Sequence, residues 1–557
     1  MATPITASDF CKRRFDYLIV GGGTAGLVVA ARLSEDANIT VGVLEAGPAS
    51  FDDPLINVPG RFGESLDTKY DWRFETVPQA GLNGRKLPWP RGKVLGGTSA
   101  LNFMTWNRGN REDYDAWGGP FFMKTESFQE PSPTHQAQYR SHFTAEFHGK
   151  GGPITSVYSK EHSVPHRYWH ATLNNIGVET NYSHFSGSNL AHYLPNSARE
   201  NLVVLTEAVV NQIVLERDTM GNEWIAKGVI FTSGGEEYTV RTLHEVILSA
   251  GSVQSPQLLE LSGVGNPSVI QAAGIALKVD SPNVGENLQE HMMTAMVYEI
   301  DSSIIGPDDL RADPKLAEAA DFTYSSSQSG IRAMLPCSLS YVPDPISKRD
   351  LVLAKQFSPG SKRDQIECLF DVGNWSPYFK SVPGKKYGTM LTMLQLPLTK
   401  GSIHIPPKSL LGPSGIKDKP VIDPQYFAGG GGDVDFTIMV AAQRFADPIF
   451  CTSPLSSIIG TRAFPLATEL HDAEEDFAGF VRDYTITDWH PIGTCGMGGS
   501  AGIAAGVVDE RLRVYGVKGL RVVDASIMPL HIRSHPQATV YTIAEKAASM
   551  ILEDRRE

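Results

Sequence analysis

The amino-acid sequence predicts an α/β protein, α+β overall, in which a Rossmann-like domain is combined with a second domain built on a mainly antiparallel sheet. Two patterns carry this prediction. Residues 15–33 contain a run of buried-strand type, a glycine-rich turn and a helix-forming run, as at the start of a parallel βαβ unit. Residues 387–396 and 402–405 alternate as antiparallel strands do. With 557 residues, 41% of them hydrophobic, the chain is long enough for two or three domains.

The glycine-rich turn predicts a dinucleotide-binding site. Gly21, Gly23 and Gly26 have the G-x-G-x-x-G spacing, which permits a sharp turn, close approach of the backbone to a pyrophosphate and tight packing of the helix on the strand. Glu45 ends a second apolar run, 19 residues after Gly26, where an acid can accept a hydrogen bond from a ribose hydroxyl. The alternative is a glycine-rich turn of an unrelated α/β unit, which leaves Glu45 unexplained. The turn alone does not distinguish NAD from FAD.

Composition excludes several other classes of protein. The formal charge of −13 and the pI near 5.6 argue against a nucleic-acid partner, because such proteins carry a basic face for the phosphates. The five cysteines are scattered and form no Cys-x-x-Cys pair, so we expect neither a disulfide framework nor a metal site. No apolar run reaches about 18 residues, so we expect no membrane contact. The start of the chain has no secretory-signal pattern, and an intracellular, cytoplasmic location is expected.

Six ordered motifs resemble those of the glucose-methanol-choline (GMC) family of FAD-dependent oxidoreductases. They span nearly the whole chain, at residues 15–26, 91–106, 249–265, 283–291, 488–498 and 524–529. The resemblance implies a Rossmann-like FAD-binding domain with a discontinuous substrate domain built on a mainly antiparallel sheet. The FAD-binding parts would be residues 10–120, 198–292 and 483–557, and the substrate-binding parts would be residues 121–197 and 293–482.

The resemblance also implies which residues bind FAD. FAD would rest on the N-terminal motif, with Glu45 on the adenosine ribose. The flavin would lie near the second motif, the adenine near Val210, and the last of these residues would contribute the C-terminal end of the site. These residues are Gly21, Gly23, Thr24, Ala25, Gly26, Glu45, Asn102, Thr105, Val210, Asp524, Ala525, Pro536 and Gln537. Some family members bind the flavin covalently through a histidine just before the position of Asn102. Leu101 stands there, so we expect non-covalent FAD.

The family match assigns the chemistry to two histidines, His490 in the H-P-x-G-T-C motif and His535. Oxidation of an alcohol removes a hydride, which the flavin accepts, and a hydroxyl proton, which needs a base with a pKa near neutrality. Imidazole has such a pKa. We assign His490 as the base and His535 as the group that positions the hydroxyl and stabilises the developing alkoxide. Pro491 and Pro536 restrict the backbone before them and help to orient both rings.

The expected activity is that of an alcohol oxidase or dehydrogenase acting on a small alcohol, for example an aryl or secondary-metabolite alcohol. Its electron acceptor would be oxygen or a quinone-like compound; the sequence does not indicate an oligomeric state. Two alternatives stay open: an FAD-containing non-redox member such as a hydroxynitrile lyase or a light-driven decarboxylase, and a catalytically silent flavin-binding protein. Cys495 is interpreted as a packing residue, because no acyl-transfer constellation surrounds it, and His291 as part of a structural motif.

Two junctions are shorter than the family pattern. Residues 113–117 lead through Gly118-Gly119-Pro120 almost directly into 121–124, and residues 185–189 join 190–195 without the strand and loop expected between them. Each gap corresponds to about one short element. The gaps are interpreted either as trimmed parts of the substrate domain or as errors in the assembled coding sequence, and the second reading favours the silent alternative.

Overall fold

The computed structural model describes residues 5–109, 119–139, 143–178, 180, 187–188, 199–221, 223–335, 338–343, 364–466 and 474–556. Two large sheets organise these residues. Their strands, in chain order, are β1 (Phe15–Val20), β2 (Val41–Leu44), β3 (Leu202–Leu205), β4 (Ala208–Arg217), β5 (Trp224–Ser233), β6 (Glu236–Leu248), β7 (Met292–Ile300), β8 (Ser338–Pro343), β9 (Asp364–Val372), β10 (Tyr387–Leu394), β11 (Ile459–Phe464), β12 (Ile486–Thr487), β13 (Val517–Lys518) and β14 (Leu520–Val522).

Among the described residues, the helices of ten residues or more are α1 (Thr24–Leu33), α2 (His166–Asn175), α3 (Gly251–Leu261), α4 (Pro314–Ser327), α5 (Gly432–Cys451), α6 (Glu474–Tyr484) and α7 (Gln537–Asp554). Shorter α-helices are Ala7–Cys11, Pro54–Asn57, Gly119–Thr125, Pro133–Tyr139, Pro267–Ala272 and Pro307–Ala312. Short strands form two-stranded ribbons (Phe74–Glu75 with Pro88–Trp89, Val264–Gly265 with Val279–Asp280, Ser402–His404 with Val421–Asp423) and a four-stranded sheet of Thr105–Trp106, Gly187–Ser188, Ile154–Val157 and Glu126–Gln129.

The first large sheet has the order β4-β5-β6-β1-β2-β3, with β13 beside β5 and β14 beside β6. The strands β14, β6, β1, β2 and β3 run parallel to one another, and β4 and β5 extend the sheet as antiparallel strands. All residues of β1 and β2 are buried, as in a parallel sheet that is covered on both faces. The predicted parallel α/β domain is confirmed.

The turn between β1 and α1 requires glycine at two positions for reasons of packing. Gly21 has a φ of +100°, and a Cβ there would lie 2.4 Å from the Ser249 carbonyl oxygen. A Cβ on Gly26 would lie 2.0 Å from the Gly21 carbonyl oxygen. The two glycines therefore allow α1 to pack directly onto the turn, as their spacing predicts.

The C-terminal helix α7 packs against α1, which explains how residues near the end of the chain reach the N-terminal turn. Arg32 on α1 donates hydrogen bonds from Nε and Nη2 to the Glu545 carboxylate on α7, at 2.9 and 2.7 Å. The Glu545 side chain is fully buried, so the pair is largely screened from water. The turn and the histidines at 490 and 535 border the same cavity.

The second large sheet has the order β8-β9-β10-β7-β11, with β12 beside β7, and every pairing is antiparallel. This confirms the predicted antiparallel sheet. Seven of the eight residues of β10 are buried, although its sequence alternates, because α5 packs on this sheet and the opposite face closes a cavity. Residues 402–404 do form a strand, but it pairs in a separate ribbon with 421–423.

Each large sheet has its own hydrophobic core. Most of the first core comes from the segments predicted to bind FAD, but Phe122 and Ile154 pack into it as well. Likewise, Phe74 and Trp89 lie in the second core, although the sequence assigns them to the first domain. The exact domain boundaries stay a prediction. Of the two short junctions, residues 110–118 and 189–198 lie outside the described residues.

Within the described part of the chain, no helix has both the length and the apolar character needed to cross a membrane.

Candidate active site

A cavity of about 410 Å³ lies between the carboxyl ends of β1, β2 and β6 and one face of the antiparallel sheet. The carboxyl edge of a parallel sheet is where such folds bind their ligands. Fourteen of the fifteen residues predicted from the sequence line this cavity: Gly21, Gly23, Thr24, Ala25, Glu45, Asn102, Thr105, Val210, His490, Asp524, Ala525, His535, Pro536 and Gln537. Gly26 lies behind them on α1, against the Gly21 carbonyl.

The rings of His490 and His535 meet at one end of the cavity, with centroids 4.7 Å apart and planes at 77°. They come from two separate segments, one after β12 and one just before α7. The structure therefore brings together the two imidazoles that the sequence singled out, and both face the same space.

The neighbours of His490 fix the position of its proton. Nε2 of His291 lies 3.2 Å from the Ile532 carbonyl oxygen, which accepts hydrogen bonds, so this nitrogen carries a proton. In the neutral ring, Nδ1 of His291 is then an acceptor, and it lies 3.0 Å from Nδ1 of His490. Nδ1 of His490 therefore donates to His291, and Nε2 of His490 is left unprotonated.

A carboxylate completes this arrangement. Oδ2 of Asp488 lies 3.0 Å from Nδ1 of His490, on the same side as His291. The ligand atoms of Asp488, His291 and His490 all lie within 4.8 Å of one another, which is close enough to hold a metal ion. A metal ion would have to break the hydrogen bond between the two imidazoles, so we assign the cluster to proton positioning.

His535 has an acidic partner that the sequence analysis missed. Nε2 of His535 donates a hydrogen bond to Oε1 of Glu367 on β9, at 2.9 Å, and the Glu367 side chain is fully buried. Glu367 belongs to no motif, but it stands inside the apolar run Ile366–Val372, and an acid within such a run is a sequence signal for a buried functional carboxylate.

The surroundings shift the pKa values of the two imidazoles in opposite directions. Burial lowers the pKa of His490 well below its ordinary range, and the nearby His535, His531 and Arg91 act in the same direction. Burial also acts to lower the pKa of His535, but the charge and hydrogen bond of Glu367 outweigh it and raise that pKa above its ordinary value. The pair thus combines a neutral acceptor with a group that favours its cationic form.

The backbone that carries His490 is held on several sides. Trp489 has a φ of +60°, which is uncommon for a bulky residue. Arg91 donates to its carbonyl oxygen, Thr487 Oγ1 accepts from its N–H at 2.9 Å, and Glu290 Oε1 accepts from the His490 N–H at 2.7 Å. These contacts stabilise an unfavourable conformation and fix the direction of the imidazole.

Comparison with known proteins identifies the family. Two models described as GMC oxidoreductase match residues 15–134 with 170–293, and residues 408–544. The chain is 34% identical to a dehydrogenase of Monascus purpureus, mpl7, over 633 aligned positions that cover all of this chain and 98% of the relative.

The chain belongs to the GMC oxidoreductase family. Among solved structures, the formate oxidase of Aspergillus oryzae RIB40 is similar, with a TM-score of 0.83, 27% identity and coverage of 98% of this chain and 99% of that one. The pyridoxine 4-oxidase of Mesorbium loti has a TM-score of 0.77, 26% identity and coverage of 97% and 99%. The 633 positions aligned with the Monascus relative exceed the 557 residues of this chain, so the relative contains segments that this GMC chain lacks.

GMC oxidoreductases bind FAD, and the glycine-rich turn of this chain fits a dinucleotide. A Cβ added to Gly23 would meet nothing closer than the Cα of Gly97, at 3.6 Å, which is an ordinary contact. Protein packing therefore does not require glycine at position 23, whereas close approach of a pyrophosphate does. The N–H groups at the start of α1 receive no side-chain cap, and they are available to an anion.

Glu45 lies at the predicted ribose position of this site, but its oxygens already have backbone partners. Oε2 accepts from the N–H of Gly22 and Oε1 from the N–H of Gly47, both at 2.8 Å. Burial raises the pKa of Glu45 to about 7, against the effect of these hydrogen bonds. A carboxylate accepts more than one bond per oxygen, so a ribose hydroxyl remains compatible with this geometry.

Asn102 and Asp524 both line the cavity and also make hydrogen bonds to other residues of the protein. Asn102 donates from Nδ2 to Gln537 Oε1 at 2.8 Å, which joins two predicted cofactor residues. The Asp524 carboxylate accepts from the Gly251 N–H at 2.9 Å and from Ser255 Oγ at 2.6 Å. Asp524 thus stabilises the turn between β6 and α3, at the rim of the cavity.

Cys495 is fully buried in the first core. Burial raises the pKa of its thiol well above the ordinary range. A protonated thiol is a poor nucleophile, and this agrees with the packing role expected from the sequence.

Proposed function

We propose that this GMC oxidoreductase oxidises the CH–OH group of a small alcohol, with His490 as the base. The observation that supports this most directly is the proton order at the histidine pair, in which Nε2 of His490 is unprotonated and Nδ1 is engaged by His291. A base with a free nitrogen beside the cavity is what removal of a hydroxyl proton requires.

His535 supplies the complementary hydrogen bond. Because its Nε2–H is donated to Glu367, its remaining nitrogen, Nδ1, carries a proton only in the cationic form, and Glu367 favours that form. A donor from Nδ1 orients the hydroxyl oxygen of the substrate and stabilises the negative charge that develops as His490 accepts the proton. Bound FAD supplies the acceptor for the hydride.

The walls near the two histidines favour an apolar, flat substrate. Phe62, Phe103, Trp375 and Trp489 line the cavity, and Phe62 stacks on Trp375 with ring centroids 5.1 Å apart. Such walls exclude water from the reacting groups and contact planar rings well. An aryl or similarly flat alcohol fits this lining.

We infer that FAD is held without a covalent bond. Leu101 lines the cavity and is buried, and a leucine side chain cannot form the bond that a histidine makes at that position. His490 and His535 are the histidines that line the cavity in the described part of the chain, and both are assigned to the reaction.

The electron acceptor is proposed to be oxygen or a quinone-like compound. The Monascus relative carries the name dehydrogenase, and the two similar solved structures carry the name oxidase. The identity of the acceptor is independent of the identity of the alcohol.

Anaerobic mixing with a panel of primary aryl and alkyl alcohols tests the proposal. The visible absorbance of the bound flavin should bleach with at least one alcohol and return when oxygen or a quinone is added. Which of the two restores it identifies the acceptor. Flavin that dithionite reduces but that no alcohol bleaches would contradict the proposal and would favour a lyase or a silent protein.

A further inference from the structure

The sheet face that closes the cavity carries two acids among apolar side chains. On β9, residues 367, 369 and 371 alternate onto one face, where Leu369 and Asp371 line the cavity. The neighbouring strands add Leu391, Met293 and Met393 to the same wall. Glu367 is accounted for by His535. Asp371 has no part in the chemistry described above.

Asp371 borders the cavity some way along β9 from the histidine pair. Four residues of an extended strand span about 13 Å, which is the separation of Asp371 from Glu367 along β9. The residue is 8% exposed and borders the cavity. A carboxyl group in an apolar wall is unfavourable unless something hydrogen-bonds to it.

The surrounding protein supplies Asp371 with hydrogen bonds from the Val372 N–H and from the Trp375 side chain. Oδ1 of Asp371 accepts the bond from the Val372 N–H at 2.9 Å. Burial raises the pKa of Asp371 to about 7, although Val372, Trp375 and Arg311 act against this.

The basic group nearby is engaged by another acid. Arg311 lies over the Trp375 ring, 5.2 Å from its centroid, and pairs with Asp308. Asp308 also accepts from the Asn374 N–H at 2.8 Å, so the loop that carries Trp375 is held by Asp308. Arg311 is thus engaged by Asp308, and the Asp371 carboxylate, which accepts a hydrogen bond from the Trp375 side chain, keeps further acceptor capacity beside the cavity.

A series of aromatic rings connects the histidine region with Asp371, because Phe103 contacts both Trp489 and Trp375, and the Trp375 side chain hydrogen-bonds to Asp371. Phe62 and Trp375 stack at 5.1 Å, and Phe103 and Trp489 stack at 5.4 Å. All four rings line the cavity. An elongated, flat molecule would therefore contact aromatic rings along its length, with its carbinol at the histidines and its far end at Asp371.

We propose that the alcohol substrate carries a hydrogen-bond donor at the end remote from its carbinol, and that Asp371 accepts this donor and determines specificity. The inference rests on the proposed function for the identity of the reacting end. The donor is a hydroxyl or an ammonium group, since both suit a carboxylate acceptor.

Three alcohols of similar length test this assignment: 4-hydroxycinnamyl alcohol, 4-(aminomethyl)cinnamyl alcohol and 4-methylcinnamyl alcohol, which lacks a donor. The wild-type protein should prefer one of the first two over the third by about tenfold or more in kcat/KM. Asp371→Leu should abolish that preference. Asp371→Asn should retain part of it for a hydroxyl donor and lose it for an ammonium donor, because the amide accepts a hydrogen bond but carries no charge.

Leu369→Val is the matched control, because it changes the same wall without removing a polar atom and should alter all three alcohols alike. Equal use of the three alcohols by the wild-type protein, or an unchanged preference in Asp371→Leu, would overturn the assignment. Should Asp371→Leu fail to fold, Asp371→Asn with the ammonium probe decides the question.

A binding experiment separates this inference from the proposed function. Calorimetric titration with the three corresponding aldehydes measures affinity without turnover, and the same order of preference and the same loss in Asp371→Leu are expected. If no alcohol bleaches the flavin but the aldehydes show this pattern, the proposed function fails and the role of Asp371 stands. If alcohols are oxidised but neither the alcohols nor the aldehydes show this order of preference, the proposed function stands and the role of Asp371 fails.

Discussion

At the scale of the residue, the chemistry depends on which nitrogen of each imidazole carries a proton. For His490 this is decided by a chain of three groups, from the Ile532 carbonyl through His291 to Nδ1 of His490. For His535 it is decided by Glu367. The two partners are buried and come from different segments, so the order of protons is a property of the folded chain.

Replacement of His490 by alanine should keep the flavin spectrum and the fold but slow flavin reduction by about 10²–10⁴-fold, the usual effect of losing a general base. His535→Ala should also slow reduction. The double variant should lose less than the product of the two effects, because both imidazoles act on one hydroxyl. Anaerobic stopped-flow measurement with an accepted alcohol checks this, and wild-type rates in His490→Ala would remove that residue from the mechanism.

The pH profile of flavin reduction should have two limbs. His490 is an acceptor when it is neutral, and its pKa is lowered, so the rate should rise with pH to a midpoint below 6.5. His535 donates from Nδ1 when it is cationic, and its pKa is raised, so the rate should fall at a midpoint above 6.5. Because the two rings interact, each midpoint belongs to the pair.

Glu367→Gln should affect only the alkaline limb of the pH profile, because a neutral partner no longer raises the pKa of His535. The alkaline limb should move to lower pH, whereas the acid limb should stay on the acid side of 6.5. An identical profile in the variant would show that Glu367 does not control the titration.

At the scale of the element, two glycines of the turn from β1 into α1 have different roles, one in packing of the backbone and one in leaving space for the cofactor. Gly21 allows a positive φ and contact with Ser249, whereas Gly23 leaves space toward the cavity. Gly23 itself has φ −91° and ψ −162°, a conformation that residues with a side chain also adopt.

Gly23→Ala should therefore fold normally and lose FAD affinity, because the added methyl group occupies the space where the pyrophosphate approaches. Gly21→Ala should destabilise the protein whether or not FAD is present, because its Cβ would meet the Ser249 carbonyl at 2.4 Å. Thermal unfolding of the apoproteins and FAD titration distinguish the two outcomes. Equal FAD affinity in Gly23→Ala and wild type would show that the turn does not approach the cofactor.

His404 joins the strand Ser402–His404 to helix α3. Its Nδ1 donates to Glu260 at 2.7 Å and its Nε2 to Glu286 at 3.1 Å, and the Glu260 side chain is fully buried. Burial acts to lower the pKa of His404, but the two glutamates outweigh it and raise that pKa to about 9.

His404→Ala should destabilise the fold by about 3–5 kcal/mol, because it leaves the buried Glu260 without its cationic partner. The contribution is fully present below the unfolded pKa of about 6.5 and is lost as the pH rises through about 9, so the effect should be larger at pH 6 than at pH 9. Denaturant unfolding at both pH values measures it. His244→Ala is the control and should change stability by less than about 1 kcal/mol, because the His244 ring is half exposed and Asp16 keeps Thr40 and Arg555 as partners.

Local features of this chain can be predicted from its sequence, whereas contacts between distant segments cannot. Contiguous patterns predicted the β1–turn–α1 unit and β10, because periodicity and glycine spacing are local properties. The roles of Glu367 and His291 depend on contacts with His535 and His490, which are 168 and 199 residues away in the chain, and no local pattern encodes such contacts. Burial of both faces of β10 was likewise invisible, because it requires α5 and the cavity wall to be placed.

At the scale of the whole molecule, the cavity is the place where the two cores meet. Its lining takes Val20, Leu44 and Leu258 from the first core and Leu369 and Met393 from the second. A ligand that fills the cavity therefore contacts residues of both cores, and its binding favours the state in which the two sheets are docked.

The last prediction concerns FAD itself. Acid precipitation should leave the yellow cofactor in the supernatant, because Leu101 offers no covalent attachment; colour in the pellet would contradict the non-covalent assignment.

FAD should also stabilise the folded protein. Adding FAD to the apoprotein should raise the free energy of unfolding by about 2.7 kcal/mol at a hundredfold excess over the dissociation constant. For a chain of this length, that corresponds to a rise of about 2 °C in the unfolding midpoint. Because both cores line the cavity, the unfolding of both should respond, and Gly23→Ala should respond less at the same FAD concentration. A shift confined to one of two separate transitions would show that FAD stabilises a single domain.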